Sequence, residues 1–338
     1  MSNTKTVLVT GAGGFVGHHV VEHILDNTDW NVIGTYTYEH HGDPWRLEHL
    51  SNNPRLTLIH LDCSTPWGTI GERLARQGVN YVLHLAADSH VDRSITHPVP
   101  FVQNNVNLTL NTLEWVKIAK PEIVVQFSTD EVYGPAREKE LHAEWSPIIP
   151  SNPYSASKAA QEAIAISYWR TYDIPLIITN TMNVIGERQD VEKFVPMLIR
   201  GVNSGTSIPI HADDEGRPGS RFYIHARNVA DALLFILNKY DGEHLLYREG
   251  VNDRPERFNV VGEVELDNLT LGLKVAANIG KELKYELLNF HSARPGHDRR
   301  YALDGKRLAS IGWVPPVDFD ESLRRTIAWE IKNRPWAS

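Results

Sequence analysis

Cysteine is almost missing from this chain: Cys63 is the only one in 338 residues. An intrachain disulfide and a cysteine-based zinc site are therefore excluded, and a reducing, cytoplasmic setting is expected. Long apolar runs are missing too. None approaches the roughly 18 residues that a membrane span needs. An excess of basic residues is also lacking. The formal net charge of −8 argues against a nucleic-acid or membrane-surface partner, although a few local Arg and Lys can still make a cleft attractive to an anion. No charged and apolar leader precedes the first β-branched run at 6–10, so no signal peptide is expected. Histidine is plentiful, with 16 copies, but no His-Glu-x-x-His spacing occurs. The adjacent pairs His18-His19 and His40-His41 are expected to point apart, and no metal is expected.

What is present is a rhythm. Short β-branched runs at 7–9, 32–33, 56–59, 81–83, 123–125 and 176–178 alternate with amphipathic stretches at 14–26, 67–78, 99–119 and 154–172. This alternation predicts a Rossmann-type, doubly wound parallel α/β sheet covered on both faces, with its ligand crevice beyond the carboxyl ends of the strands. After about residue 180 the rhythm weakens. Segment 201–220 reads as an exposed loop, 226–240 as a helix returning to the sheet, 258–330 as a smaller α/β lobe, and 319–333 as a last helix. The predicted division is therefore a dinucleotide-binding domain of 1–180 plus about 222–240, and a substrate-binding lobe of 181–221 and 241–338.

Three motifs carry chemistry. Gly11-x-x-Gly14-x-x-Gly17 lies between a strand and a helix, where glycines let the backbone approach a pyrophosphate and the helix start offers free N–H groups. Asp62, ending the third strand, is a candidate for the adenine side. The second strand runs out through Tyr36-Thr37-Tyr38 without an acid for the ribose hydroxyls. Glu39 comes late and Arg46 is the nearest arginine, so NAD is favoured and NADP stays open. Tyr154 and Lys158 stand one helical turn apart; an ammonium beside a phenol is expected to favour the phenolate and make it a base. Asp130 and Glu131 follow Ser128-Thr129 directly. They read either as a solvated helix start or as an acid–base pair with split pKa values.

With these residues in view, the chain resembles the extended short-chain dehydrogenases/reductases, and among them the nucleoside-diphosphate-sugar 4,6-dehydratases, most of all those of the dTDP-glucose type. The blocks that carry the resemblance are Thr10-Gly11-Ala12-Gly13-Gly14, residues 83–95, Ser128-Thr129-Asp130-Glu131-Val132-Tyr133-Gly134, Tyr154-Ser155-Ala156-Ser157-Lys158, and residues 294–301. The Thr-Asp-Glu triplet separates these enzymes from their epimerase relatives. The resemblance implies a catalytic set of Thr129, Asp130, Glu131, Tyr154 and Lys158. It implies a dinucleotide held by Gly11, Gly14, Phe15, Val16, Gly17, Asp62, Cys63, Leu85, Ala86, Ala87, Asn105 and Ser128, with Tyr154 and Lys158. For a nucleoside-diphosphate hexose it implies Ser89, Asn183, Glu192, Lys193, Arg221, Arg294 and His297.

The implied reaction oxidises C4 of the sugar, eliminates water across C5 and C6, and returns the hydride to C6. The resemblance also implies a homodimer built on 99–119 and 154–172, to which Trp115, Tyr168 and Trp169 are candidate contributors, a core role being equally open for each. Departures fall in the substrate lobe: Asn183-Val184-Ile185-Gly186-Glu187 where the family has Asn-Asn-Tyr-Gly-Pro, and Arg221-Phe222-Tyr223 where it has Arg-Asp-Trp. The base, thymidine or uridine, stays open. A 4-epimerase or decarboxylase of the same superfamily would share the glycine turn and the Tyr-Lys pair but not need Asp130 with Glu131; a redox sensor would need neither Tyr154 nor Lys158.

Overall fold

A computed structural model describes residues 4–39, 42–240, 242–289 and 299–334. Arg294, His297 and the pair His40-His41 lie outside the described residues.

The six predicted runs form strands β1 (Thr6–Thr10), β2 (Asn31–Tyr36), β3 (Leu56–His60), β4 (Tyr81–His84), β5 (Ile123–Thr129) and β6 (Leu176–Thr181). All pair in parallel in the order β3-β2-β1-β4-β5-β6. Alternate residues serve opposite faces. Val7 and Val9 enter one core with Val32, Leu83 and Val125, whereas Leu8 enters the other with Ile33, Val82 and Val124. A strand buried on both sides cannot alternate apolar with polar, which is why these runs are continuously hydrophobic.

Helices α1 (Phe15–Asn27) and α7 (Ala226–Lys239) cover the first face. The second face is covered by α2 (Gly68–Gln77), α4 (Pro98–Ala119) and α5 (Pro153–Tyr172), with short α3 (Val91–Thr96) leading into α4. No described helix is long and apolar enough to cross a membrane. Trp115 and Trp169, open between core and interface in the sequence, belong to the core. They are 3% and 1% exposed, and their indole N–H groups donate to the Gly71 and Leu245 carbonyls. They build this chain's own core rather than a surface for a second copy.

Two readings are corrected. Phe194–Ser204 (α6) and Ile208–Ala212 form a helix and a strand where 201–220 reads as loop. Ile208, Ile210 and Ala212 alternate inward, a pattern hidden by the polar residues that follow. Strand Glu256–Val260, assigned from sequence to the second lobe, pairs in parallel with β6 and closes the main sheet as its seventh strand. Its Phe258 and Val260 are fully buried in the first core, together with Leu308 and Trp313. The second lobe has its own core, built from α6, α8 (Asn268–Ile279), the C-terminal helix Phe319–Asn333 and small sheets that include Asn183–Ile185 and Ser220–His225.

The seventh strand is also locked by charge. Arg257 and Glu162 are both fully buried, and Arg257 Nη2 donates to Glu162 Oε2 at 2.7 Å. Asn180 Nδ2 donates to the other carboxylate oxygen at 2.7 Å and to the Thr129 carbonyl at 3.0 Å. The pair therefore reaches the end of β5. Glu162→Leu strands the guanidinium without a counter-charge and is expected to destabilise the chain by about 3–5 kcal/mol. A denaturant titration checks this, and pairing the change with Arg257→Met is expected to recover much of the loss.

Candidate active site

The strand order reverses between β1 and β4, and an open doubly wound sheet leaves its crevice there. A cleft of about 560 Å³ runs from this point into the second lobe. On the β1 side the chain turns at Gly11, whose φ of +69° lies in the left-handed region that favours glycine. Gly17 then packs on that turn so closely that a Cβ would lie 2.1 Å from the Gly11 carbonyl oxygen. Gly11, Gly14, Phe15, Val16 and Gly17 line the cleft, as do Asp62, Cys63, Leu85, Ala86 and Ala87. Asp62 is exposed and accepts from the Ser64 N–H at 2.8 Å. Burial pushes the Cys63 thiol up to about 12, so it contributes shape and not nucleophilicity.

Asn105 stands apart from the other dinucleotide candidates. It is fully buried, is not among the residues lining the cleft, and holds the Asp88 backbone from both ends at 2.7 and 3.0 Å. It shapes the wall from behind.

The catalytic candidates meet at the cleft centre. β5 delivers Ser128 and Thr129, and a single 3-10 turn follows over Asp130–Tyr133. α5 starts under a capping box in which Asn152 accepts from Ser155 N at 2.9 Å, with Pro153 in the first turn. The cap fixes the helix start and with it Tyr154 and, one turn on, Lys158. Thr129, Asp130, Glu131, Tyr154, Lys158 and Ser128 all line the cleft. The Thr129 hydroxyl donates to Asp130 Oδ1 at 2.9 Å, and Asn152 Nδ2 donates to Glu131 Oε2 at 3.2 Å. Asp130 is 4% exposed and its Oδ2 has no partner. Burial first, and the Glu131 charge second, push Asp130 up to about 7. A carboxyl of that kind holds a proton near neutrality and can give it away.

Lys158 does not act as expected from sequence. Its Nζ donates to the Phe127 carbonyl at 2.8 Å, and burial lowers its pKa to about 8. Tyr154 is correspondingly raised above the usual phenol value, by burial first and then by the Glu131 charge, against the effect of its Thr129 hydrogen bond. Burial, with the Glu131 and Asp130 charges adding to it, keeps the proton on the phenol. The phenol thus needs an added positive charge before it becomes a base.

Ser89, beyond β4, and Asn183, Glu192, Lys193 and Arg221 of the second lobe line the same cleft. Lys193 Nζ donates to the Ser89 carbonyl at 3.1 Å, and Glu192 pairs with Arg93 and His90, each at 3.2 Å. Arg221 is 5% exposed, lies over the Tyr301 ring at 4.5 Å and donates to the Arg299 carbonyl at 2.7 Å. Glu187, one of the substrate-lobe departures, does not line the cleft; it bonds His225 and Arg227 at 2.9 and 2.6 Å.

Sequence reasoning missed Asn152, Ser94 and Thr35. Ser94 Oγ accepts from Tyr154 N at 3.1 Å, and Thr35 Oγ1 accepts from Gly11 N at 3.2 Å. Asn152-Pro153 is a helix-start signal and was there to be found; the other two act across the fold and leave no local signal.

A model of the NAD dependent epimerase/dehydratase family matches residues 7–260. The chain is 31% identical to dTDP-glucose 4,6-dehydratase 1 of Escherichia coli (strain K12), over 98% of this chain and 94% of that one. It is similar in structure to DesIV, a dTDP-glucose 4,6-dehydratase from Streptomyces venezuelae with NAD and TYD bound, at TM-score 0.84 and 31% identity over 98% of each chain. A UDP-glucose 4-epimerase from Thermus thermophilus in complex with NAD matches at TM-score 0.81 and 26% identity, over 97% of this chain and 99% of that one. With the glycine turn, the parallel sheet and the Tyr-Lys pair, these matches establish that the chain belongs to the NAD-dependent epimerase/dehydratase family.

Proposed function

We infer that the protein is an NAD-dependent 4,6-dehydratase of a nucleoside-diphosphate hexose, of the kind that dTDP-glucose represents, yielding the 4-keto-6-deoxy sugar nucleotide. The observation that carries this reading is the Asp130–Glu131 pair: one buried carboxyl with a proton to give, beside a second carboxyl held by Asn152, both on the cleft that Tyr154 and Lys158 line. An epimerase needs no such pair.

The cradle suits NAD. Gly11, Gly14 and Gly17 line the cleft at the start of α1, where free N–H groups favour a pyrophosphate. Arg46, the arginine nearest the second strand's end, donates to the Gly13 and Arg188 carbonyls and to Asp190, which favours NAD over its 2′-phosphate. Gly17→Ala is expected to weaken NAD binding by roughly 5–150-fold, because overpacking this contact costs about 1–3 kcal/mol; calorimetric titration with NAD reads it.

NAD, when bound, would supply the hydride acceptor and donor and a positive charge beside the phenol. The residues move the protons. Tyr154 takes the proton of the C4 hydroxyl, with Thr129 orienting that oxygen and Lys158 completing the positive field. The C4 ketone acidifies C5–H, and Glu131 removes that proton. Asp130 protonates the departing C6 hydroxyl, so water leaves, and C5 takes a proton back as the hydride returns to C6. Arg221 and Lys193 bind the diphosphate side; a buried guanidinium suits phosphate because its fork donates two bonds together. The reading extends to a homodimer through α4 and α5, whose Ile118 and Tyr172 are exposed, and to a cytoplasmic setting.

The sign of the pH dependence follows from Asp130. Its acid form predominates below about 7. Elimination is therefore expected to fall as pH rises above 7, by up to tenfold per unit, while C4 oxidation does not share that limb. The deciding assay supplies dTDP-glucose deuterated at C4 and follows the label by NMR. Deuterium arriving at C6 of a 4-keto-6-deoxy product supports the reading. Inversion at C4 with the C6 hydroxyl retained would make the protein an epimerase.

A further inference from the structure

The first turn of α1 buries two adjacent histidines that the proposed reaction does not use. His18 and His19 are 0% and 1% exposed. They were expected to diverge; instead their ring centroids lie 4.0 Å apart, because the helix packs both into the seam between its own start and Ser220–His225. Their tautomers follow from their partners. His18 Nδ1 lies 3.2 Å from the Gly14 carbonyl, and His19 Nε2 lies 3.1 Å from the Glu187 carbonyl. A carbonyl only accepts, so these two nitrogens carry the protons. The remaining nitrogens, His18 Nε2 and His19 Nδ1, present lone pairs, and each is buried without a hydrogen-bond partner. The nearest acidic group is Glu22, whose Oε2 is 3.7 Å from His19 Nδ1. Ligand atoms of His18, His19 and Glu22 all lie within 4.8 Å of one another. Three electron-pair donors thus converge with no proton between them.

We propose that His18, His19 and Glu22 form a divalent-cation site, best suited to zinc, directly beneath the glycine turn. Two imidazoles and a carboxylate are a ligand set that zinc accepts. The outer arrangement also fits, since a metal-binding histidine ordinarily donates its other N–H to a carbonyl or carboxylate. Here the Gly14 and Glu187 carbonyls serve that purpose, and Arg188 and His49 hold the other Glu22 oxygen at 2.8 and 2.9 Å. Arg188 already engages the other Glu22 oxygen, so the site is weaker than an all-thiolate one. Because the His18 ring bonds the Gly14 carbonyl, an ion here braces the turn that the dinucleotide rests on.

Tag-free, full-length protein, stripped with EDTA, is titrated with Zn²⁺ by calorimetry and with Co²⁺ by visible spectroscopy. One equivalent of zinc is expected, with the visible bands of low-coordinate cobalt and a Tm higher in zinc than in EDTA. Glu22→Gln and His19→Phe are each expected to lose more than the ~10–100-fold in affinity that outer partners alone contribute, whereas the surface change His97→Gln retains binding. Should His19→Phe fail to fold, the isosteric Glu22→Gln carries the comparison. No saturable uptake by the unaltered protein, as when a water molecule bridges the two nitrogens, overturns the proposal; so does uptake unchanged in the Glu22 variant.

Discussion

Asp130→Asn combined with Glu131→Gln is expected to leave a protein that oxidises C4 but releases no water. Both replacements are isosteric. The amide oxygen introduced at position 130 can still accept from the Thr129 hydroxyl, and the one introduced at position 131 can still accept from Asn152, so the contacts at 2.9 and 3.2 Å survive. What disappears is proton exchange at two places, the C5 carbon and the C6 oxygen. Each positioned acid or base is worth roughly 10²–10⁴-fold. Because the two act in one elimination, their combined loss is expected to be close to the larger single effect and not to the product of both. Stopped-flow detection of reduced cofactor gives the test: absorbance at the reduced nicotinamide band should rise and persist. A double variant that forms the 6-deoxy product at the parent rate would remove both carboxylates from the mechanism.

Tyr154→Phe is expected to lower the C4 oxidation rate by about 10²–10⁴-fold while leaving the fold and substrate affinity nearly intact. The phenol sits in T-shaped contact with Phe101, and its backbone N–H is held by Ser94 Oγ; phenylalanine keeps both. The structure sharpens the expectation. Tyr154 is raised above the usual phenol value by burial and by Glu131, so the residue is a proton-bearing phenol until a positive charge arrives beside it. Lys158→Met should therefore depress the rate as well, and should raise the pH at which oxidation reaches its plateau. Measured plateaus that coincide in the parent and the Lys158 variant would assign Lys158 a purely structural part, as the donor to the Phe127 carbonyl.

The contrast between Lys158 and Asp130 marks how far residue order reaches. That Tyr154 and Lys158 share a helix face follows from their spacing alone. That the ammonium is spent on a backbone carbonyl of β5, and that the Asp130 carboxyl is sealed with one oxygen unpartnered, depends on what other elements bring against them. Trp115 and Trp169 teach the same lesson. A tryptophan on an amphipathic helix is equally at home in a core or at an interface, and only the carbonyls of Gly71 and Leu245 decide. Strand Glu256–Val260 is hard to place from sequence because a buried arginine breaks its apolar run. Its pairing becomes possible only when Glu162, 95 residues earlier, supplies the counter-charge.

Sequence by itself determined the layered parallel sheet and the glycine turn, and it named the catalytic candidates. Those are properties of local spacing, and spacing is written in the order of residues: period-two burial on both faces, three glycines where strand meets helix, a tyrosine and a lysine four apart. Tertiary structure alone decided which groups are charged, which are tied down, and that two histidines expected to part should share one buried site. A pKa or a lone pair without a partner is set by the dielectric and the neighbours that surround it, and those neighbours come from distant parts of the chain.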